Sequence, residues 1–80
     1  MVKRIGFVGL VVKRLSPDAL KVHKLLAGHE ALIIGRTEVA CPPGGITAIA
    51  LVIEATTDEV GALTGKLGQL SDVRVKTSLI

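Results

Sequence analysis

Eighty residues, 49% of them hydrophobic with Phe7 the single aromatic, suffice for one small domain spanning 1–80 whose core must be built from Val, Ile, Leu and Ala. This composition excludes a disordered chain, and the longest apolar runs, 7–12 and 46–53, fall well short of the roughly 20 residues of a membrane helix. The net charge of +3 comes from ten cations scattered among seven acids, which gives neither the concentrated basic face nor the aromatic platform of a nucleic-acid binder.

No signal peptide precedes the first apolar run, so the expected location is cytoplasmic, with no membrane and no direct nucleic-acid partner. Cys41 is alone, which rules out an internal disulfide. A domain of this size buries only about 60–65% of its unfolded surface, and a homo-oligomer, dimer or tetramer, is the expected supplement.

In chain order, Lys3–Val12 reads as the first strand, with Ile5, Phe7, Gly9 and Val11 on one face and Gly6, Val8, Leu10 and Val12 on the other. Apolar character on both faces marks a central strand. Ser16-Pro17-Asp18 opens a helix: a hydroxyl cap, a proline at the first position and an acid in the first turn. It runs to about Ala27, with Ala19, Val22, Leu26 and Ala27 facing the core and Gly28 as a left-handed stop.

Ala31–Val39 reads as the second strand, Pro42-Pro43-Gly44-Gly45 as a turn, and Ile46–Ala55 as the third strand. The third strand carries Ile49, Leu51 and Ile53 on a bulky face and Ala48, Ala50 and Val52 on a small one. Thr56-Thr57-Asp58-Glu59 signals a second helix start, with Thr57 as the cap, and Val73–Ser78 closes the chain as a strand with one wet face.

The second helix is unusual in its glycines. Val60, Leu63, Leu67 and Leu70 form its apolar stripe, while Gly61, Gly65 and Gly68 share another flank. Each interior glycine costs about 1 kcal/mol against alanine, so this flank is expected to be a close-contact surface, against the first helix or a neighbouring subunit. Gly61 through Lys66 is no phosphate loop, because the segment lies inside a helix rather than at its start.

The order β-α-β-β-α-β with short links fits a ferredoxin-like α+β fold: a four-stranded antiparallel sheet with both helices on one face. The other face then lacks a cover. Gly6, Val8, Leu10, Val12, Ala48, Ala50 and Val52 are expected to line it, which makes Val8, Leu10, Ala48 and Ala50 candidate oligomer contacts alongside the glycine flank.

No catalytic spacing is present, and the expectation is a protein that is not an enzyme and holds no cofactor or metal of its own. His23 reads as a hydrogen-bonded core-edge residue. His29-Glu30 has no second histidine at ligand spacing, so no metal site is assigned. Small-molecule binding is expected instead at the helix starts. With the first and third strands side by side and parallel, Arg14–Asp18 and Thr56–Glu59 would meet at one edge, where amide ends of both helices attract anions and Lys13, Arg14, Ser16 and Thr57 could contact a ligand, against the opposing carboxylates of Asp18, Asp58 and Glu59 in the same field.

Gly61-Ala62-Leu63-Thr64-Gly65-Lys66-Leu67-Gly68, Val73, Val75-Lys76, the segment Ile33-Ile34-Gly35-Arg36 and the apolar run after Gly45 resemble the small single-domain family described as iron-only hydrogenase system regulators, a label drawn from gene context. The resemblance spans the chain and is most specific over 58–77; Thr37-Glu38-Val39 departs from the family's Met-Gly-Ile. It implies an ACT-like domain similar to the ligand-sensing domain of nickel-responsive repressors, with strand order 4-1-3-2. It further implies a regulatory module sensing a small effector or metal at a subunit interface, and adds Gly35 and Arg36 to the candidate ligand contacts. The rival expectation is a structural or interaction module that only oligomerises or docks on a partner.

Overall fold

Large aliphatic side chains at every second position of two neighbouring strands need a common cover, and the two amphipathic helices supply it. The computed structural model describes residues 2–80. The chain runs β1 (Arg4–Lys13), α1 (Pro17–Gly28), a 3₁₀ turn (Glu30–Leu32), β2 (Ile33–Cys41), β3 (Ile46–Ala55), α2 (Thr57–Gly68) and β4 (Val73–Leu79). The strands form one sheet in the order β2-β3-β1-β4, antiparallel throughout. Val22 and Leu26 of α1 and Val60, Leu63 and Leu67 of α2 pack in one core with Val8, Leu10 and Val12 of β1, Ile49, Leu51 and Ile53 of β3 and Val73 of β4. Fold class and strand order are those expected, and the apolar stripe of α2 faces the sheet.

Two expectations about strands are corrected. β1 and β3 are antiparallel, with Arg4 opposite Ala55 and Lys13 opposite Ile46. The α1 crossover keeps β2 parallel to β1 and the β2–β3 hairpin then reverses direction, so β3 must oppose β1. The start of α1 and the start of α2 therefore lie at opposite ends of the sheet. The faces of β1 are also the reverse of the expected ones: Val8 and Leu10 are 1% and 3% exposed, beneath the helices, while Phe7 is 46% exposed on the other side. Register explains this, because Leu10 pairs with Ile49 and Val8 with Leu51, which joins bulk to bulk on the covered side.

The helix ends are set by side-chain caps. Ser16 Oγ accepts from the Asp18 amide at 3.0 Å as expected, whereas α2 is capped by Thr56 rather than Thr57. Thr56 and Glu59 form a reciprocal capping box: the Glu59 amide donates to Thr56 Oγ1 (3.2 Å) and the Thr56 amide to Glu59 Oε1 (2.9 Å). A cap at Thr57 would place Val60 where the returning carboxylate is needed. Gly28 is not left-handed; α1 stops at His29, whose Nδ1 donates to the Leu25 carbonyl at 2.8 Å. Ala27 is exposed and Leu25 packs in its stead. β2 begins two residues later than expected because the 3₁₀ turn takes up Glu30–Leu32.

Only one of these glycines meets a close neighbour. A Cβ at Gly6 would lie 2.5 Å from Leu79 Cδ2 and 3.0 Å from the Ser78 carbonyl oxygen, whereas one at Gly61, Gly65 or Gly68 would meet nothing within 4 Å. The flank of α2 is therefore no contact against α1.

α1 is tied to the edge strand β2 by a polar chain. His23 Nδ1 donates to the Ala19 carbonyl at 2.8 Å, its Nε2 faces Glu38 Oε1 at 3.1 Å, and Arg36 donates to Glu38 Oε2 at 2.9 and 3.2 Å. Since both ring nitrogens face acceptors, both bonds together require the doubly protonated ring. Slight burial works to raise the Glu38 carboxyl, but the hydrogen bonds from His23 and Arg36, with their charges, outweigh it and hold the group below its ordinary value.

Gly65→Ala is expected to raise stability by about 0.5–1 kcal/mol in denaturant melts, from helix propensity in open space. Gly6→Ala is expected to lower it by about 1–3 kcal/mol, because Leu79 and the β4 backbone must move. Glu38→Gln should cost no more than about 0.5 kcal/mol near neutral pH in low salt, since the pair is largely in solvent. A carboxyl with a depressed folded pKa stabilises above its unfolded value, so melts should show this difference shrinking as pH falls through the depressed range.

Candidate functional site: the open face of the sheet

Because side chains alternate along a strand, the residues between the core positions project from the face that no helix covers. Register arranges them in transverse rows. Ser78, Phe7, Val52 and Gly35 form one; Lys76, Gly9, Ala50 and Thr37 the next; Arg74, Val11, Ala48 and Val39 a third. The middle row has no bulk on the two central strands, and a Cβ at Gly9 would meet nothing within 4 Å. A groove of about 450 Å³ results, floored by Gly9, Val11, Ala48 and Ala50, with Thr37 and Val39 at one end and Arg74 and Lys76 at the other.

The expected open-face set is thus right at three of its seven positions. Ala48, Ala50 and Val52 are on this face, Val8, Leu10 and Val12 belong to the core, and Phe7, Gly9 and Val11 take their place. Gly6 is buried as well. The missed residues were visible as the alternate set of β1. Nothing local distinguishes the two sets, since each is apolar.

The six expected ligand contacts do not converge. Lys13, Arg14 and Ser16 lie at the end of β1, and Thr57 at the far end of the sheet beyond β3. Ser16 is already committed: its hydroxyl donates to Asp72 Oδ2 at 2.7 Å while accepting from the Asp18 amide. Asp18, 8% exposed, accepts from the Asp72 amide at 3.0 Å, and Lys13 Nζ stands 3.8 Å from Asp72 Oδ1. The positive end of α1 is therefore occupied by the chain's own carboxylates, Asp18 in its first turn and Asp72 on the Ser16 hydroxyl from 56 residues away, the second of which no local pattern signals.

The start of α2 is filled in the same way by Glu59. The Thr56 amide is the main influence holding its carboxyl below the ordinary value; slight desolvation opposes it, and the Thr56 hydroxyl and the Lys3 charge assist. Gly35 and Arg36 share a smaller depression with Leu26, Ala27, Glu30, Ile33 and Ile34, separate from both helix starts. Among the described residues no three His, Cys, Asp or Glu side chains converge as metal ligands, and no helix is long and apolar enough to cross a membrane. The Cys41 thiol points to the Val39 carbonyl at 3.7 Å.

Comparison with known proteins follows the fold. The structure is similar to an uncharacterized protein from Thermotoga maritima, TM1266, at 35% identity and TM-score 0.94, with 98% of each chain covered. It is also similar to the ACT domain from GTP pyrophosphokinase of Chlorobium tepidum (16% identity, TM-score 0.78, 96% of this chain and 100% of that one). A third likeness is to the regulatory subunit of aspartate kinase from Thermus flavus (15% identity, TM-score 0.57, 98% of this chain and 57% of that one). The last two establish an ACT-like fold and no more. A search of curated proteins finds no match. The profile of one family matches residues 4–77, nearly the whole chain, and the chain belongs to that family, the TM1266-like proteins described as "Iron-only hydrogenase system regulator, putative".

Proposed function

We propose that the protein is a non-enzymatic regulatory module that self-associates through the open face of its sheet and senses a small effector or metal ion at the subunit interface. The observation that carries this reading is the uncovered apolar face: Phe7, Val11 and Val39 are 46%, 37% and 52% exposed around a groove floored by glycine and alanine. An exposed apolar patch on a domain with so small a core is characteristic of an interaction surface. The family description and the ACT-like fold, which serves as a domain of GTP pyrophosphokinase and in the regulatory subunit of aspartate kinase, support a regulatory role. Lys13 and Arg14, at the positive end of this face, are the proposed effector contacts. Gly61, Gly65 and Gly68, open to solvent, remain a proposed surface for a further subunit.

The competing reading, a module that only oligomerises or docks on a partner, is favoured by the floor of the groove, which offers a ligand few polar groups. Light scattering and native mass spectrometry on protein purified without added metal separate the two. A dimer or tetramer carrying a co-purified small molecule or metal is the expected result; a clean apo-oligomer supports the interaction module, and a monomer at micromolar concentration with full thermal stability refutes self-association. Ala50→Asp is expected to weaken the assembly while the subunit stays folded. Val8→Asp, in the core, should instead unfold it, since an unpaired buried carboxylate costs several kcal/mol.

A further inference from the structure

We infer that the open face pairs with the open face of a second copy about a two-fold axis running across the strands, so that Phe7 of each copy seats in the Gly9–Ala50 groove of the other. This rests on the proposed self-association and adds its geometry. Two in-plane two-folds would stack one sheet upon another with the strands roughly aligned. An axis along the strands lays each row on its own counterpart, bulk of Phe7 and Val52 against bulk, and the empty Gly9 row against an empty row. An axis across the strands, between the rows of Phe7 and Gly9, exchanges those two rows. The chain's single aromatic then meets the one row without bulk on its central strands.

Charge selects the same axis. One end of the face carries Arg74 and Lys13, the latter with Asp72 3.8 Å from its amine, while Lys76 lies in the middle row beside Gly9; towards the other end stands Glu54, opposite Ile5, with Lys3 two residues before Ile5. Neither Arg74 nor Lys76 nor Glu54 has an ion-pair partner among the described residues. The axis along the strands would bring the two Arg74 ends together and the two Glu54 ends together, whereas the axis across them carries the row of Glu54 in each copy onto the row of Arg74 in the other; like charges brought together at an interface oppose association. The available area also fits. Four strands about 4.8 Å apart and four rows about 6.8 Å apart give a footprint on the order of 500 Å² per copy, or about 1,000 Å² in all, the lower bound for a specific contact.

The test is sedimentation equilibrium on the full chain alongside denaturant melts. Phe7→Ala is expected to weaken dimerisation at least tenfold. Gly9→Val should also weaken it at least tenfold yet leave subunit stability equal or higher, because the groove has room for a side chain within the monomer but not beneath a partner's ring. Glu54→Lys should weaken association, and Glu54→Lys combined with Arg74→Glu should restore it to within about threefold, a rescue that two groups at opposite ends of one subunit cannot produce internally. A wild-type monomer refutes self-association itself. A wild-type dimer indifferent to Phe7→Ala and Gly9→Val, or one in which the double charge exchange is worse than either single change, overturns the axis and the interlock while leaving self-association standing.

Discussion

The pairing of β1 with β3 is the constraint on which the rest of this structure depends. Both strands are apolar on both faces, and their antiparallel register sets Val8, Leu10 and Gly6 against Leu51, Ile49 and Ile53. That match gathers the large aliphatics on one side, where Val22, Leu26, Leu63 and Leu67 cover them to at most 3% exposure. The same match collects Gly9, Ala48 and Ala50 on the other side, so one register creates both the core and the groove. Gly6 belongs to this constraint too, because only a residue without a side chain lets the end of β4 lie as close as Leu79 does.

Polar groups then hold the ends of the layers together. At one end, Ser16, Asp18 and Asp72 join the start of α1 to the α2–β4 link, and at the other, the Thr56–Glu59 box closes the start of α2. Both clusters do what a bound anion would do at a helix start, satisfying amide donors and complementing the helix dipole. With these donors met from within the chain, the amide ends of the helices offer an incoming anion few free partners. This also moves attention to the open face, where Arg74, Lys76 and Glu54 have no ion-pair partner among the described residues and where a subunit or an effector must come from outside the chain.

A helix with three exposed glycines is a local weakness of the fold, and nothing inside the subunit uses it. The core stripe of Val60, Leu63 and Leu67 offsets the cost, since burying such side chains contributes about 1.5–3 kcal/mol each against about 1 kcal/mol lost per glycine. Packing thus decides that the segment is helical although its propensity argues against it.

The fold was legible in the sequence wherever the signal is local. Alternating apolar residues, the Ser16-Pro17-Asp18 start, the proline-glycine turn and the order of elements were enough for a ferredoxin-like sheet with both helices on one face, and residues 58–77 pointed to the family. The T-x-x-E pattern at Thr56 was equally local and was missed by one residue. What remained was decided by the tertiary structure. Period-two alternation says that the faces of β1 differ but not which one the helices cover, because both are apolar; only the register against β3 settles it. Likewise the hydroxyl of Ser16 at the amide end of α1 reads as a ligand contact in sequence, until folding brings the Asp72 carboxylate from 56 residues away to accept from it.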